Sequence, residues 1–161
     1  GVDQKGRMRI REAMESPDDF MLRCIELGRM AKQSDDAPVG SLIVCEGKLL
    51  SEGLESVRRT MDPTAHAEIE AIRAACRVLK SLDLRRCTLY TTAEPCWMCS
   101  YAIRSVRISH VVIGAPFPYV GGATSHHSIL TDPEVGCWPG VPTVTWSGSC
   151  KDTIVCSERE D

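Results

Sequence analysis

The stretch from Thr64 to Cys99 concentrates the residues whose types and spacing can do chemistry. It opens with Pro63-Thr64-Ala65-His66-Ala67-Glu68 and closes with Glu94-Pro95-Cys96-Trp97-Met98-Cys99. His66, Cys96 and Cys99 offer one imidazole and two thiols, a ligand set for a borderline-soft metal such as zinc. Three protein ligands leave a fourth tetrahedral position for water, the arrangement of catalytic rather than structural zinc. Glu68, two residues past the histidine, places a carboxylate where it can handle that water's protons. Taken singly, each piece is a weak signal. A lone His-x-Glu is usually a solvated or core pair. A lone Cys-x-x-Cys also suits redox chemistry or half of a structural zinc site. The full order, with Pro95 before the first cysteine and a helix and strand between the halves, points to a catalytic metal.

These groups need elements to hold them. Ser16-Pro17-Asp18-Asp19 has the composition of a helix start, with a capping Ser, Pro in the first turn and acids at the positive end of the dipole. Phe20, Met21, Cys24, Ile25, Leu27 and Met30 follow at helical spacing and predict a core-packing helix. A turn follows from Gln33 to Pro38. Gly40 to Cys45 and Lys48 to Glu55 are β-like runs joined at Glu46-Gly47, which predicts a tight hairpin. Ser56 to Pro63 is expected to be a loop. Thr64 is expected to cap the next helix, whose buried face is Ile69, Ile72, Ala75, Cys76 and Leu79. On an ideal helix His66 and Glu68 stand about 200° apart. They can meet at one metal only if they lie at the helix start.

Leu84 to Thr92 predicts a third strand, and Cys96 to Arg104 a helix on which both cysteines share a face. Cys96 at that helix's N-terminus is placed where the dipole favours thiolate. Ile108 to Gly114 is an apolar, β-branched strand in which His110 is expected to be a satisfied strand histidine rather than a ligand. Beyond it, Pro116-Phe117-Pro118-Tyr119 is stiff and aromatic, and Gly121 to His127 is flexible and polar. His126 and His127 are expected to be solvated. Val141 to Trp146 predicts a last strand, and Val155 to Asp161 a charged terminal tail. Helices alternating with β-runs, the first pair a hairpin, predict an α/β sandwich with a mixed sheet.

The chain has 161 residues, 43% apolar and 25% charged, enough for one domain with a substantial core. We expect a single domain over 1–161, with its core at 16–146 and residues 1–13 either an expression remnant or disordered. No apolar run approaches the roughly 20 residues of a membrane span. The start carries no signal-peptide pattern. The cysteines number nine, and the seven outside the metal motif are expected to be reduced thiols. This favours the cytoplasm. A formal charge of −3 and a pI near 5.8 leave no electrostatic footprint for a nucleic-acid backbone.

Ala37-Pro38-Val39-Gly40, Asp62 to Ile69, Leu89-Tyr90-Thr91-Thr92 with Glu94-Pro95-Cys96, and Val112-Ile113-Gly114-Ala115 together resemble the cytidine deaminase superfamily. The H-x-E…P-C-x-x-C pattern is the signature of zinc deaminases. The nearest branch looks like the nucleobase and tRNA-adenosine deaminases, over roughly Phe20 to His127. The resemblance implies a three-layer α/β/α sandwich with a central five-stranded sheet, one zinc per subunit held by His66, Cys96 and Cys99, and a homodimer. It implies that Glu68 takes a proton from the metal's water and passes it to a ring nitrogen and then to leaving ammonia. It also places the Ala67 N–H on a carbonyl or ring nitrogen of the base, and the Ala93 carbonyl near the leaving amine. Phe117 and Tyr119 complete the candidate substrate contacts. Two departures stand out. The branch usually carries Asn where this chain has Glu55, and guanine deaminases tend to have an acid after the fourth strand, where Ala115 to Thr131 has none. An ionised Glu55 only accepts hydrogen bonds, so it suits a base rich in N–H donors.

The activity expected from this is hydrolytic deamination of a free amino-heterocycle: cytosine, isocytosine, a guanine-like purine, a pterin or an aminotriazine. Editing of adenosine in a tRNA anticodon is the alternative, set second because the Lys151 to Asp161 tail is net acidic. On that reasoning the expected partners are a small heterocycle, water and a second copy of the chain. Neither a membrane nor a nucleic acid is an expected partner.

Overall fold

The computed structural model describes residues 14–148, so the cysteines at 150 and 156 and the acidic tail lie outside the described residues. Helix α1 runs Pro17–Gln33 and begins with a capping box. The Ser16 hydroxyl accepts from the Asp19 N–H, and the Asp19 carboxylate accepts from the Ser16 N–H. Strands β1 (Gly40–Cys45) and β2 (Lys48–Leu54) form the expected hairpin. Glu46 and Gly47 both have positive φ, 50° and 81°. That is the turn whose twist matches the flanking strands.

The region expected to be a loop contains a short helix, α2 (Val57–Thr60). Buried Asp36 forms it, accepting from the Arg58 and Arg59 N–H groups at 2.7 and 3.2 Å. That partner is remote in sequence, so the local composition gave no sign of it. Helix α3 (Ala67–Leu79) starts later than the Thr64 cap predicts, with His66 as its N-cap. Thr64 instead donates its hydroxyl to Asp62. Strand β3 (Cys87–Ala93), helix α4 (Trp97–Ser105), strand β4 (His110–Ala115) and strand β5 (Thr143–Trp146) complete the order.

The sheet order is β2-β1-β3-β4-β5. β1 pairs antiparallel with β2 and β3, while β3, β4 and β5 are parallel. The sheet is therefore mixed, as the hairpin requires. Alternation along the strands splits the core into two layers. Leu42, Val44, Tyr90 and Val112 pack against Phe20, Met21, Cys24 and Ile25 of α1. Ile43, Leu89, Val111 and Ile113 face the other way, against Ala71, Ile72 and Ala75 of α3 and Ile103 of α4. This is a three-layer α/β/α sandwich with a five-stranded sheet.

The segment from Pro116 to Pro142 is mostly irregular, yet two buried charged side chains organise it. Arg104 donates to the carbonyls of Ile129, Leu130, Asp132, Val135 and Gly140. Glu94 holds the nearer part. Gly121 and Gly122, expected in a flexible stretch, are buried, whereas His126 and His127 are exposed as expected. His110 sits in β4 and bonds Thr145 of β5 at 2.7 Å.

Candidate metal and catalytic centre

Two helix N-termini meet at the ends of the central strands. His66 is the N-cap of α3 and Cys96 the N-cap of α4, both with extended backbone. A residue in the extended N-cap conformation is not bound by the 100° step of the helix. This lets His66 and Glu68, in the first turn, converge on one point. Gly53 makes room for that helix start: a Cβ there would lie 2.2 Å from the Ala67 carbonyl oxygen.

His66, Cys96 and Cys99 are all buried, and their ligand atoms lie within 4.8 Å of one another. The His66 Nδ1 stands 3.5 Å from Cys96 Sγ and 3.6 Å from Cys99 Sγ. A tetrahedral zinc with ordinary Zn–S and Zn–N bonds spaces such atoms about 3.5 Å apart. The donor set and its spacing therefore fit zinc. A hydrogen bond from Cys99 brings the Cys96 thiol down to about 4, against burial that would raise it, and His66 adds to the lowering. Cys96 is thus poised as thiolate, the form that binds metal.

Glu68 is wholly buried beside the ligands. Its Oε2 lies 3.3 Å from Cys99 Sγ, and its Oε1 accepts from the Thr91 hydroxyl at 2.8 Å. The same hydroxyl reaches the Ala93 carbonyl at 3.0 Å. One proton serves both acceptors, so Thr91 bridges the candidate base to the candidate amine acceptor. From the sequence, Thr91 entered only as part of the Leu89-Tyr90-Thr91-Thr92 match and carried no site role. A buried Thr in a strand running into Glu-Pro-Cys is the signal that could have found it.

Glu55 is also buried, and its Oε1 accepts from the Ala67 N–H at 2.8 Å. That amide belongs to the first helical turn, whose N–H groups lack partners within the helix. The helix has no side-chain cap of its own, so a carboxylate from the end of β2 caps it, favoured by the dipole. The two substrate contacts expected at Glu55 and Ala67 are therefore bonded to each other in this arrangement. Phe117 is half-buried and Tyr119 exposed, their rings edge to face at 5.9 Å. The structure gathers His66, Cys96, Cys99, Glu68, Ala67, Ala93 and Glu55 into one cluster, and leaves the Tyr119 ring in solvent.

The model of the zinc-binding region of cytidine and deoxycytidylate deaminases matches residues 14–115. A tRNA-specific adenosine deaminase of Aquifex aeolicus is 42% identical over 116 residues, 72% of this chain and 77% of that protein. The guanine deaminase of Bacillus subtilis is 47% identical over 78 residues, 48% of this chain and 50% of that protein. A solved structure from a study of A-to-I editing by tRNA:A34 deaminases at the wobble position matches at 32% identity. Its TM-score is 0.77, over 83% of this chain and 95% of that one.

Proposed function

The chain belongs to the family defined by the cytidine and deoxycytidylate deaminase zinc-binding region, and from that premise we propose that it hydrolytically deaminates adenosine in a tRNA. The observation that carries the deaminase chemistry is the buried Glu68 carboxylate beside the His66, Cys96 and Cys99 cluster. When bound there, zinc supplies a Lewis acid that lowers the pKa of a coordinated water toward 7. Glu68 takes the proton of the attacking water, delivers it to the ring nitrogen, and moves a second proton to the departing amine. Water and the amino-substituted carbon give a carbonyl and ammonia. Thr91 orients Glu68 throughout, and burial of the cluster keeps bulk water away from the proton transfer.

The choice of tRNA adenosine over a free base reverses the order expected from charge, and rests on the relatives. Several of them are tRNA-specific adenosine deaminases, matched over most of their length. Net charge averages over the whole surface and says little about one patch. Exposed Arg58 and Arg59 lie on α2, between Glu55 and His66 in sequence, and give anticodon phosphates a local cationic contact. Ala67 N–H and Glu55 would open toward the base edge on binding, with Phe117 and Tyr119 flanking it.

A free base is the second reading, favoured by the similarity to guanine deaminase and by the acceptor-only carboxylate of Glu55. One experiment separates them: zinc-loaded protein is given a tRNA with adenosine at the wobble position, and in parallel a panel of free amino-heterocycles. Inosine at that position, with no ammonia from the panel, supports the tRNA reading. Ammonia from a free base, with the tRNA unchanged, replaces it with the second. A homodimer belongs to the same proposal. The exposed Trp97, Met98 and Tyr101 of α4 are the apolar surface it would cover, and light scattering checks the mass. No helix among the described residues is long and apolar enough to cross a membrane; a cytoplasmic location is part of the proposal.

A further inference from the structure

Glu94 is a carboxylate that the proton transfer does not use, yet it is fully buried, two residues before the ligand Cys96. Its Oε1 accepts from the Phe117 N–H at 3.0 Å and the Thr124 hydroxyl at 2.6 Å. Its Oε2 accepts from the Ala123 and Thr124 N–H groups, each at 2.9 Å. The donors come from both ends of the segment carrying Phe117 and Tyr119, so one side chain closes that loop into a ring. The loop is also stitched to the turn between β3 and α4: the Gly122 N–H donates to the Pro95 carbonyl at 2.9 Å, and Gly121 bridges to Cys96. Gly121 lies so close that a Cβ there would fall 1.9 Å from Glu94 Oε2. A buried carboxylate is tolerated when its lone pairs are filled, and here the loop fills them.

We propose that Glu94 is a positioning residue that fixes the 117–124 loop as a standing wall of the substrate site, in register with the ligand Cys96, rather than leaving it as a mobile lid. A loop held by a buried acceptor and by backbone bonds on both sides of Gly121 has no free hinge. Its aromatic residues are therefore presented before substrate arrives, and binding need not order them. The inference rests on the deaminase reading for the identity of the wall's ligand, but not for the rigidity of the wall.

The test is Glu94→Gln. The amide replaces one acceptor oxygen by an NH2 group, which then faces N–H donors. Zinc content and circular dichroism should match the parent. Hydrogen exchange at the Phe117, Ala123 and Thr124 amides should accelerate by about 100-fold or more, while amides of β1 and β4 stay protected. With the substrate identified, KM should rise about tenfold and kcat stay within about threefold, the pattern of lost binding rather than lost chemistry. Thr124→Val removes only the hydroxyl contact, leaves zinc binding alone, and should shift exchange and KM in the same direction by less. It serves if Glu94→Gln does not fold. Unchanged exchange in the folded variant overturns the proposal, as does a fall in kcat with KM unchanged. If the parent turns over neither tRNA nor a free base, the functional reading fails while the exchange result still decides the role of Glu94.

Discussion

At the scale of the residue, the proposed chemistry gives metal binding and proton transfer to different side chains. Cys99→Ala should lose most of the zinc seen by elemental analysis, because a three-ligand site becomes a two-ligand one. Glu68→Gln should keep the zinc, since Glu68 is not in the ligand set, and lose about 10²–10⁴ in kcat, the usual worth of a general acid–base group. Full zinc in the first variant, or near-parental turnover in the second, would remove that division of roles. Thr91 offers a finer test. Its hydroxyl fixes one Glu68 oxygen at 2.8 Å, and Thr91→Val keeps the shape while deleting that donor. The buried carboxylate then loses a partner, which costs about 1–3 kcal/mol, so kcat should fall roughly 5- to 150-fold with KM unchanged. Thr91→Ser should restore most of it. A loss that Ser does not restore would point to packing instead.

At the scale of the element, the site depends on how closely β2 approaches the start of α3. Gly53 permits that approach: an added Cβ would meet the Ala67 oxygen at 2.2 Å and the Ala71 nitrogen at 2.6 Å, both backbone atoms. Neither can yield without moving the helix. Gly53→Ala should therefore destabilise the protein by about 1–3 kcal/mol in urea unfolding, the cost of overpacking. Because the displaced helix start carries Glu68 and follows His66, zinc affinity should fall with it. Parental stability and parental affinity together would show that α3 is free to shift. α1 lies on the opposite face of the sheet and is tied to β2 by the Arg23–Glu52 pair, bidentate at 2.6 and 3.1 Å. A change there should alter stability without altering zinc.

At the scale of the whole molecule, the described cysteines outside the metal site divide by burial. Cys24 and Cys87 are in the core, while Cys137 is exposed. Burial, with Cys45 directly opposite across the β1–β3 ladder, pushes the Cys87 thiol up to about 12. The folded state thus favours the neutral thiol. Its stabilising contribution is fully present below the unfolded value of about 8.5 and is lost as the pH climbs toward 12. Alkylation by iodoacetamide at pH 8.5, mapped by mass spectrometry, should label Cys137 at least about 100-fold faster than Cys87. Equal rates in the native protein would mean that the β1–β3 ladder is open at its Cys45–Cys87 end.

The candidate ligands His66, Cys96 and Cys99, the candidate base Glu68, the β1–β2 hairpin and the order of most helices and strands were legible in the residues. The hairpin and the element order depend on short-range spacing or on periodicity, which covalent geometry imposes locally, while His66 and Cys96, thirty positions apart, were linked through the H-x-E…P-C-x-x-C signature. The onset of α3 was misplaced at Thr64, because its cap is the Glu55 carboxylate, twelve residues away. Helix α2 was missed because Asp36, which organises it, lies more than twenty residues upstream. The tie from Thr91 to Glu68 and the role of Glu94 were not legible for the same reason: the residues they join stand 23 to 30 positions apart. The acidic Lys151 to Asp161 tail set tRNA editing second, an order that the similarity to tRNA-specific adenosine deaminases argues against, since the charge of a tail carries no information about where Arg58 and Arg59 sit. The sequence by itself determined which atoms could hold a metal and move a proton. The tertiary structure decided what those atoms lean on, because the partners of a buried polar group are fixed by strand register and layer packing, not by neighbours in the chain.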